Sequence, residues 1–231
     1  MRSTNPDGPL PVLLLVLTGV TGLVDAVSYL KLGHVFVANM TGNVVFLGFA
    51  VADAAAFSIS ASLLAIVAFM AGALVGGRIG SSAGRHRARL LAIATSLQIA
   101  LVGAALVVSM AGFDPERALF QYSLITLLAL AMGVQNATAR RLGVPDLTTT
   151  VLTLTLTGLA ADSALAGGKN PQPGRRLQAT AVMFLGAAAG AYLVFQVGVI
   201  PVLALAFALL VVNGIASYRF RSSSEPWTVG A

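Results

Sequence analysis

The sequence is short of the residues on which most enzymes depend. It has no cysteine, two histidines and 10% charged residues among 231 positions, so disulfides, thiol chemistry and thiolate metal sites are excluded. His34 lies at the edge of an apolar run and His86 in an arginine-rich loop. No metalloprotease, nucleophile-elbow or phosphate-loop motif occurs. We therefore expect no catalytic residue, no metal and no cofactor, and an enzyme is the least favoured class.

Apolar residues dominate what is present. They make up 57% of the chain, the mean hydropathy is +0.89, and a soluble domain has about 25% charged residues. Eight apolar runs occur, at about 11–30, 35–52, 59–77, 90–112, 118–139, 147–166, 177–197 and 199–218. About 20 residues suffice to cross a bilayer. The sequence predicts one polytopic membrane domain over residues 1–231.

Basic residues decide how many runs cross the membrane. They cluster at 78–89, 140–141, 169–176 and 219–221, and positive loops face the cytoplasm. If the second and sixth runs do not cross, every cluster and both termini are cytoplasmic. We therefore predict an all-α protein of six full transmembrane helices plus two re-entrant or broken segments. Seven or eight full spans are the alternative. The net charge of +6 then reflects orientation, and no nucleic-acid partner is expected.

Short motifs recur at a nearly constant spacing along the chain. The matches are Gly22 with Gly133 and Asp25 with Asn136 at 111, Leu32-Gly33 with Leu142-Gly143 at 110, and Gly72 and Gly76 with Gly186 and Gly190 at 114. This spacing predicts two homologous halves, repeat A at about 11–112 and repeat B at about 118–218. Because each half has three spans, the second copy is expected to be inverted.

The paired glycines allow close approach of two helix backbones. They serve either packing inside the monomer or a homo-oligomer seam through Gly72/Gly76 or Gly186/Gly190. Internal packing is favoured, since the motif occurs once in each half and each copy has a natural partner in the other.

Polar residues concentrate in the two runs that are not expected to cross. Residues 37–44 contain two amides, a hydroxyl and a glycine, and residues 148–158 contain six threonines. Polar side chains at bilayer depth face a protein interior or a watery cavity. We therefore expect the two stretches to face each other, together with polar groups of the first and fifth runs. The predicted substrate-binding residues are Asp25, Asn39, Thr41, Asn43, Gln135, Asn136, Thr153 and Thr155.

Two of these assignments leave alternatives open. Asp25 is either a proton or cation site or a structural hydrogen-bonding group. The alternating Thr153, Thr155 and Thr157 fit either a helix enclosed by protein on all sides or an extended backbone that lines a cavity.

Three segments carry a resemblance to a known family: Gly22-Leu23-Val24-Asp25-Ala26-Val27-Ser28, Phe36-Val37-Ala38-Asn39-Met40-Thr41-Gly42-Asn43, and residues 140–150. The chain resembles the YoaK-like family of bacterial inner-membrane proteins over nearly its whole length. This implies a multi-pass protein of the bacterial inner membrane. The family has no assigned function, so the resemblance supplies no substrate and no catalytic residue.

A polar site inside a repeat-built membrane domain is typical of transporters and channels. The leading hypothesis is a small-solute transporter or channel with a central polar site at the repeat interface, whose partners are the solute and membrane lipid. The alternative is a non-transporting membrane protein that binds a partner or lipid, with its polar residues structural.

Overall fold

A computed structural model of the chain describes residues 7–83, 86–112, 118–147, 149, 152–169 and 173–229. These residues form eight α-helices and no strand. The helices are α1 Leu10–Lys31, α2 Met40–Val51, α3 Ile59–Ser82, α4 Arg87–Met110, α5 Ala118–Leu142, α6 Leu152–Ala161, α7 Pro173–Gln196 and α8 Val199–Arg219, with 3-10 turns at Ala164–Ala166 and Pro226–Thr228. The protein is an all-α polytopic membrane protein.

Six of these helices are long and apolar enough to span a membrane, with 21 to 25 residues each. The other two, α2 with 12 residues and α6 with 10, are too short. At 1.5 Å per residue they extend only about 18 and 15 Å, against about 30 Å of hydrocarbon. The prediction of six long spans and two shorter segments is confirmed, and among the described residues no seventh helix is long enough to span.

Helices α1 and α5 end in the same way. Gly33 follows the last turn of α1 with φ +86°, and Gly143 follows α5 with φ +63°. A left-handed residue after a helix favours glycine, because a side chain there is strained. The repeated Leu-Gly motif of the sequence therefore marks two equivalent turns, each of which leads towards a short helix.

Glycines bring α1 against α7 and α3 against α5. A side chain at Gly186 would collide with the carbonyl of Gly19, and one at Gly72 with the carbonyl of Leu130. Such small residues let backbones touch. The favoured interpretation of the glycine pairs, packing inside the monomer, is what the structure shows. A homo-oligomer seam through the same glycines would have to form on positions that α1 and α5 already cover.

The helix contacts of one half have counterparts in the other. Helix α1 packs on α7 as α5 packs on α3, α4 packs on α5 as α8 packs on α1, and α2 packs on α3 as α6 packs on α7. Individual contacts follow the same spacing: Gly76 meets Val134 and Ala137, while Gly190 meets Leu23 and Ala26. A two-fold relation between repeats requires this pattern of contacts.

The short helices lie at opposite ends of the bundle. Glycine contacts advance together along α1 and α7, so these two helices run parallel. Arg87 at the start of α4 binds Asp7 at 3.2 Å and the carbonyl of Leu142 at 2.8 Å, and Arg175 binds Asp7 at 3.0 Å. We call this the basic end. It holds α6, whereas α2 follows the far end of α1, at what we call the α2 end.

The C-terminal segment returns to the basic end. Trp227 is 6% exposed, lies against Gly8 and packs edge-on against Phe220 at 5.5 Å between ring centroids. His86 Nε2 donates a hydrogen bond to the carbonyl of Ser223 at 3.0 Å. No sequence pattern indicated this return, which covers the starts of α1 and α4.

Candidate functional site

Asp25 holds the backbone that leads into α2. It lies six residues before the end of α1 and is 6% exposed. One carboxylate oxygen accepts hydrogen bonds from the backbone N–H groups of Val37 at 3.1 Å and Ala38 at 3.0 Å. A buried N–H group needs a partner when no water can reach it. Asp25 therefore faces the protein interior and supplies that partner, which is the structural alternative considered for it.

Asn43 closes the same loop from the other side. It is fully buried; its side-chain oxygen accepts from the Phe36 N–H at 2.8 Å, and its amide donates to the Phe36 carbonyl at 2.6 Å. Both functional groups of the amide are thus used on one backbone unit. Asn43 holds the first turn of α2 against the segment that precedes it.

The two remaining predicted residues at this end point outwards. Asn39 is the N-cap residue of α2 without a side-chain capping bond, and both Asn39 and Thr41 are exposed. They are accessible from the outer face of α2 and do not line the core that Asp25 and Asn43 help to close.

Aromatic rings cover the α2 end. Tyr29 of α1 stacks on Phe36 at 5.1 Å, and Phe46 of α2 stacks on Phe57 at 4.9 Å. His34 packs edge-on against Tyr29 at 5.3 Å. Pairs at such separations stabilise beyond their buried area. The α2 end therefore carries a ring cluster, formed by Tyr29, His34, Phe36, Phe46, Phe49 and Phe57.

Helix α6 differs from both interpretations of its threonine pattern. Residues 152–161 are helical, so extended backbone is wrong there. Thr155 is buried, yet Thr153 is exposed and Leu154 is 71% exposed, so protein does not enclose the helix on all sides. The alternating pattern therefore places Thr155 against the protein and the apolar Leu154 on the outer face of the helix. Thr148 and Thr150 lie outside the described residues.

Ion pairs hold α6 in place. Arg176 of α7 binds Asp146, which precedes α6, at 2.8 Å, and Asp162, which follows it, at 2.7 Å. Its guanidinium lies over Gly158, where any side chain would displace it. Sequence reasoning missed this group. Its only signal in the sequence was Arg176 just before the seventh apolar run, with Asp146 just before the sixth run and Asp162 near the end of that run.

Gln135 and Asn136 lie nearer the basic end than Asp25 does. Gln135 donates to the Thr21 hydroxyl at 2.8 Å and to the Leu17 carbonyl at 3.3 Å, which places it level with the middle of α1. Asn136 donates to the Met132 carbonyl of its own helix at 2.9 Å. Asp25 lies a further turn, about 6 Å, beyond Thr21. Asp25 was expected near either Asn136 or the stretch that contains Asn39 and Asn43, and it lies beside the second of these, on the backbone of Val37 and Ala38.

The two polar stretches do not meet either. Helix α2 packs on α3 and helix α6 on α7, and within the described residues these two short helices form no packed pair. Since α1 ends where α5 begins, the segments that follow α1 and α5 lie at opposite ends. The expectation of one site shared by Asn39, Thr41, Asn43, Thr153 and Thr155 is not what this conformation shows.

The centre of the bundle holds a different polar group, one residue from each of four helices. Thr21 of α1, Gln98 of α4, Gln135 of α5 and Asn213 of α8 are each 0 to 1% exposed, and we call them the central polar layer. Counted from the helix ends, all four lie about 9 to 17 Å from the basic end. Helices α4 and α8 pack on each other, α4 on α5, and α1 on α5 and α8. The four residues therefore lie at similar depth on helices that pack together, and Gln135 and Thr21 are hydrogen-bonded at 2.8 Å.

Several atoms of this layer have no hydrogen-bond partner among the described residues. They are both amide atoms of Gln98, both amide atoms of Asn213 and the side-chain oxygen of Gln135. The hydroxyls of Thr95 and Thr138, on the same helices, are also unpaired there. An unpaired buried polar group costs about 1–3 kcal/mol. The layer contains no charged residue, and the residues predicted from the sequence to bind a substrate include neither Gln98 nor Asn213.

Comparison with known proteins places the chain in a family. A family model described as a protein of unknown function, DUF1275, matches residues 13–216. The chain belongs to the DUF1275 family. It is 36% identical over 151 residues to the UPF0700 transmembrane protein YoaK of Bacillus subtilis (strain 168), an alignment that covers 65% of each chain. No solved structure shows a significant match. The resemblance to the YoaK-like family is confirmed.

In this DUF1275 protein the eight predicted residues fall into four groups. Asp25 and Asn43 hold the α2 end, and Asn39, Thr41 and Thr153 are exposed. Gln135 belongs to the central polar layer. Asn136 and Thr155 lie on the basic side, on α5 and α6. The polar residues that were predicted to form one site thus lie in three places: the α2 end, the basic end and the centre of the bundle.

Proposed function

We propose that this DUF1275 protein is a transporter or channel for a small, polar, uncharged solute, which binds at the central polar layer. The observation that carries the proposal is the set of unpaired amide atoms on Gln98 and Asn213. In hydrocarbon surroundings such groups are costly, and a solute that donates and accepts hydrogen bonds would satisfy them.

The chemistry of the layer favours a solute without net charge. Thr21, Gln98, Gln135 and Asn213 offer only hydroxyl and amide groups. Two buried charged residues of the bundle are used elsewhere: Asp25 on the α2 loop and Arg176 on the α6 segment. An ion in the layer would lack a counter-charge, and the desolvation cost would be several kcal/mol.

The segments at the two ends of the bundle support a solute path that opens on one side of the membrane at a time. All four layer residues are closed to solvent in this conformation, with the ring cluster and α2 at one end and α6 at the other. Two inverted halves that close opposite sides of one site are a recurring design of transporters. Arginines at the basic end favour a cytoplasmic position for that end and for both termini, in a bacterial inner membrane.

The test is uptake into proteoliposomes of small neutral solutes, namely urea, short amides, glycerol and larger polyols, with erythritol as the size limit. Wild-type protein is expected to accelerate entry of at least one of them, and Gln98→Leu and Asn213→Leu to abolish it. Gln121→Leu, which changes a glutamine outside the layer, is the matched control and should transport normally.

The competing function, a non-transporting membrane protein with structural polar residues, makes the opposite expectation. That function predicts no uptake of any of these solutes. If wild-type vesicles take up none of them, the central polar layer is not a solute site and the proposal fails.

A further inference from the structure

A groove opens between α3 and α4 at the basic end. It encloses about 400 Å³ and is lined by Val75, Arg78, Ile79, Ser82 and Ala83 of α3 and its end, and by Arg89 and Ile93 of α4. Helix α3 packs chiefly on α5, and α4 on α8 and α5. The space between α3 and α4 is therefore poorly filled, and a volume of this size fits a small ligand or a lipid headgroup.

The two arginines of the groove are exposed and have no ion-pair partner among the described residues. The described acidic residues of this end are engaged elsewhere. Asp7 binds Arg87 and Arg175, Asp146 and Asp162 bind Arg176, and Glu225 accepts from the Trp227 indole. Arg78 and Arg89 thus leave unbalanced positive charge at the mouth of the groove.

The first turn of α4 adds to this charge. Arg89 is its third residue, and the backbone N–H groups of a helix start carry partial positive charge. One of them is used, because His86 accepts from the Arg89 N–H at 3.1 Å. The groove therefore combines two free guanidinium groups with a helix start, which is the electrostatic environment of an anion.

The remaining walls are apolar and continue onto the outer face of the bundle. Val75 is 41% and Ile93 43% exposed. Above them on α3, Met70 and Leu74 are exposed large apolar residues, consistent with a lipid-facing surface. A free anion in water would not need such walls, whereas a phospholipid would place its phosphate at the arginines and its chains along the apolar face.

We propose that this groove binds an anionic phospholipid, with the phosphate between Arg78 and Arg89 and an acyl chain along Val75 and Ile93. Basic pockets between spanning helices on the cytoplasmic side bind anionic headgroups in this way. The site is separate from the central polar layer and does not depend on the proposed transport.

The experiment uses the full chain, purified in detergent, and measures retained lipid by native mass spectrometry after mixing with phosphatidylglycerol or phosphatidylcholine. Wild-type protein is expected to retain phosphatidylglycerol preferentially. The Arg78→Gln/Arg89→Gln double variant should lose roughly tenfold or more of that preference, since each basic residue near a membrane surface contributes appreciably. Arg140→Gln/Arg219→Gln, the same charge change at the same end, should keep it.

A second variant protects the test against misfolding of the first. Ile93→Trp fills the groove and leaves both arginines in place, so it should also reduce retention of phosphatidylglycerol. Equal loss in the Arg140→Gln/Arg219→Gln control would mean general charge attraction and would overturn the site. Unchanged retention of phosphatidylglycerol in Ile93→Trp would also overturn the site. Stabilisation of the wild-type protein by inorganic phosphate as strong as its stabilisation by phosphatidylglycerol would do the same.

Discussion

Helices α2 and α6 follow equivalent turns after α1 and α5, yet different chemistry holds each one against the bundle. At the α2 end, Asp25 and Asn43 bind backbone groups of the connecting loop, and aromatic rings cover them. At the basic end, Arg176 forms two ion pairs with the residues that flank α6. The hydrogen bonds of Asp25 and Asn43 are buried and bind uncharged backbone groups. The contacts of Arg176 are ion pairs that are partly exposed to solvent.

This difference bears on which end opens more easily. The Asp162 side chain is 44% exposed, although Arg176 is only 10% exposed. Water and salt weaken ion pairs at such exposure. Segments with few buried contacts open at lower free energy than a packed core. We therefore expect α6 to leave the bundle more readily than α2, so that the central polar layer communicates first with the basic side.

The largest effect should come from labelling the two ends from one side of the membrane, because accessibility there is all or none. The chain has no native cysteine, so single cysteines at Ser82, Lys169 and Ser222 report on the basic end, and one at Ala55 reports on the α2 end. An impermeant thiol reagent outside intact cells should label only Ala55→Cys. Outside labelling of Lys169→Cys and Ser222→Cys, with Ser82→Cys protected, would reject the six-span orientation.

Asp25→Leu should cause the largest loss of stability at the α2 end. It leaves the backbone N–H groups of Val37 and Ala38 buried without an acceptor, at about 1–3 kcal/mol for each group. Asp25→Asn keeps an acceptor and loses only the charge assistance, so it should cost about 1 kcal/mol. Thermal unfolding in detergent measures both. Equal losses for Leu and Asn would show that charge, not hydrogen bonding, is the contribution of Asp25.

Asn43→Ala should be the next most damaging change at the same end. It removes both hydrogen bonds to Phe36 and should lower the free energy of unfolding by about 1–3 kcal/mol. Asn39→Ala, four residues earlier and exposed, is the matched control and should change it by less than about 0.5 kcal/mol. If the two variants unfold alike, the loop closure attributed to Asn43 does not stabilise the protein.

The sequence predicted those features of the fold that depend on local pattern. Long apolar runs fixed the six spans, basic loops excluded crossings by the second and sixth runs, and Gly72 and Gly186 indicated close helix contacts. These signals are readable because span length, charge placement and small residues act within one or two helices.

The candidate site was predicted less well, because it depends on how distant helices align. Nothing near Arg176 indicates that Asp146 and Asp162 will both reach it, and Gln98 or Asn213 alone looks like an ordinary contact between helices. In the polar stretch at residues 37–44, Asn43 faces the protein interior, as expected of polar groups at bilayer depth, whereas Asn39 and Thr41 are exposed. However, its Asn43 serves the loop itself, and local sequence does not distinguish a group that binds a ligand from one that binds its own backbone.

Arg176→Gln should loosen the basic end while it leaves the α2 end intact. Both ion pairs of α6 are lost together, so we expect faster hydrogen exchange in residues 152–162 and unchanged exchange in residues 37–51. The melting temperature should fall less than in Asn43→Ala. Arg140→Gln, which removes an exposed arginine of the same end, is the control. Faster exchange at both ends would mean that the two closures are coupled.

The smallest effects should come from the two carboxylates taken singly, and they should differ. The Asp146 side chain is 20% exposed and that of Asp162 is 44% exposed, so water already competes more strongly for the second pair. Asp146 also has φ +63°, a left-handed conformation that Asn adopts as readily as Asp, so Asp146→Asn tests the charge without straining the backbone. We expect Asp146→Asn to speed hydrogen exchange in α6 more than Asp162→Asn does, and raised salt to diminish the effect of Asp162→Asn more than that of Asp146→Asn, because the more exposed pair is screened more strongly. If Asp162→Asn has the larger effect, the ion pair that follows α6 holds this helix more strongly than the one that precedes it. Helix α6 would then begin to open at its start, on the side of α5.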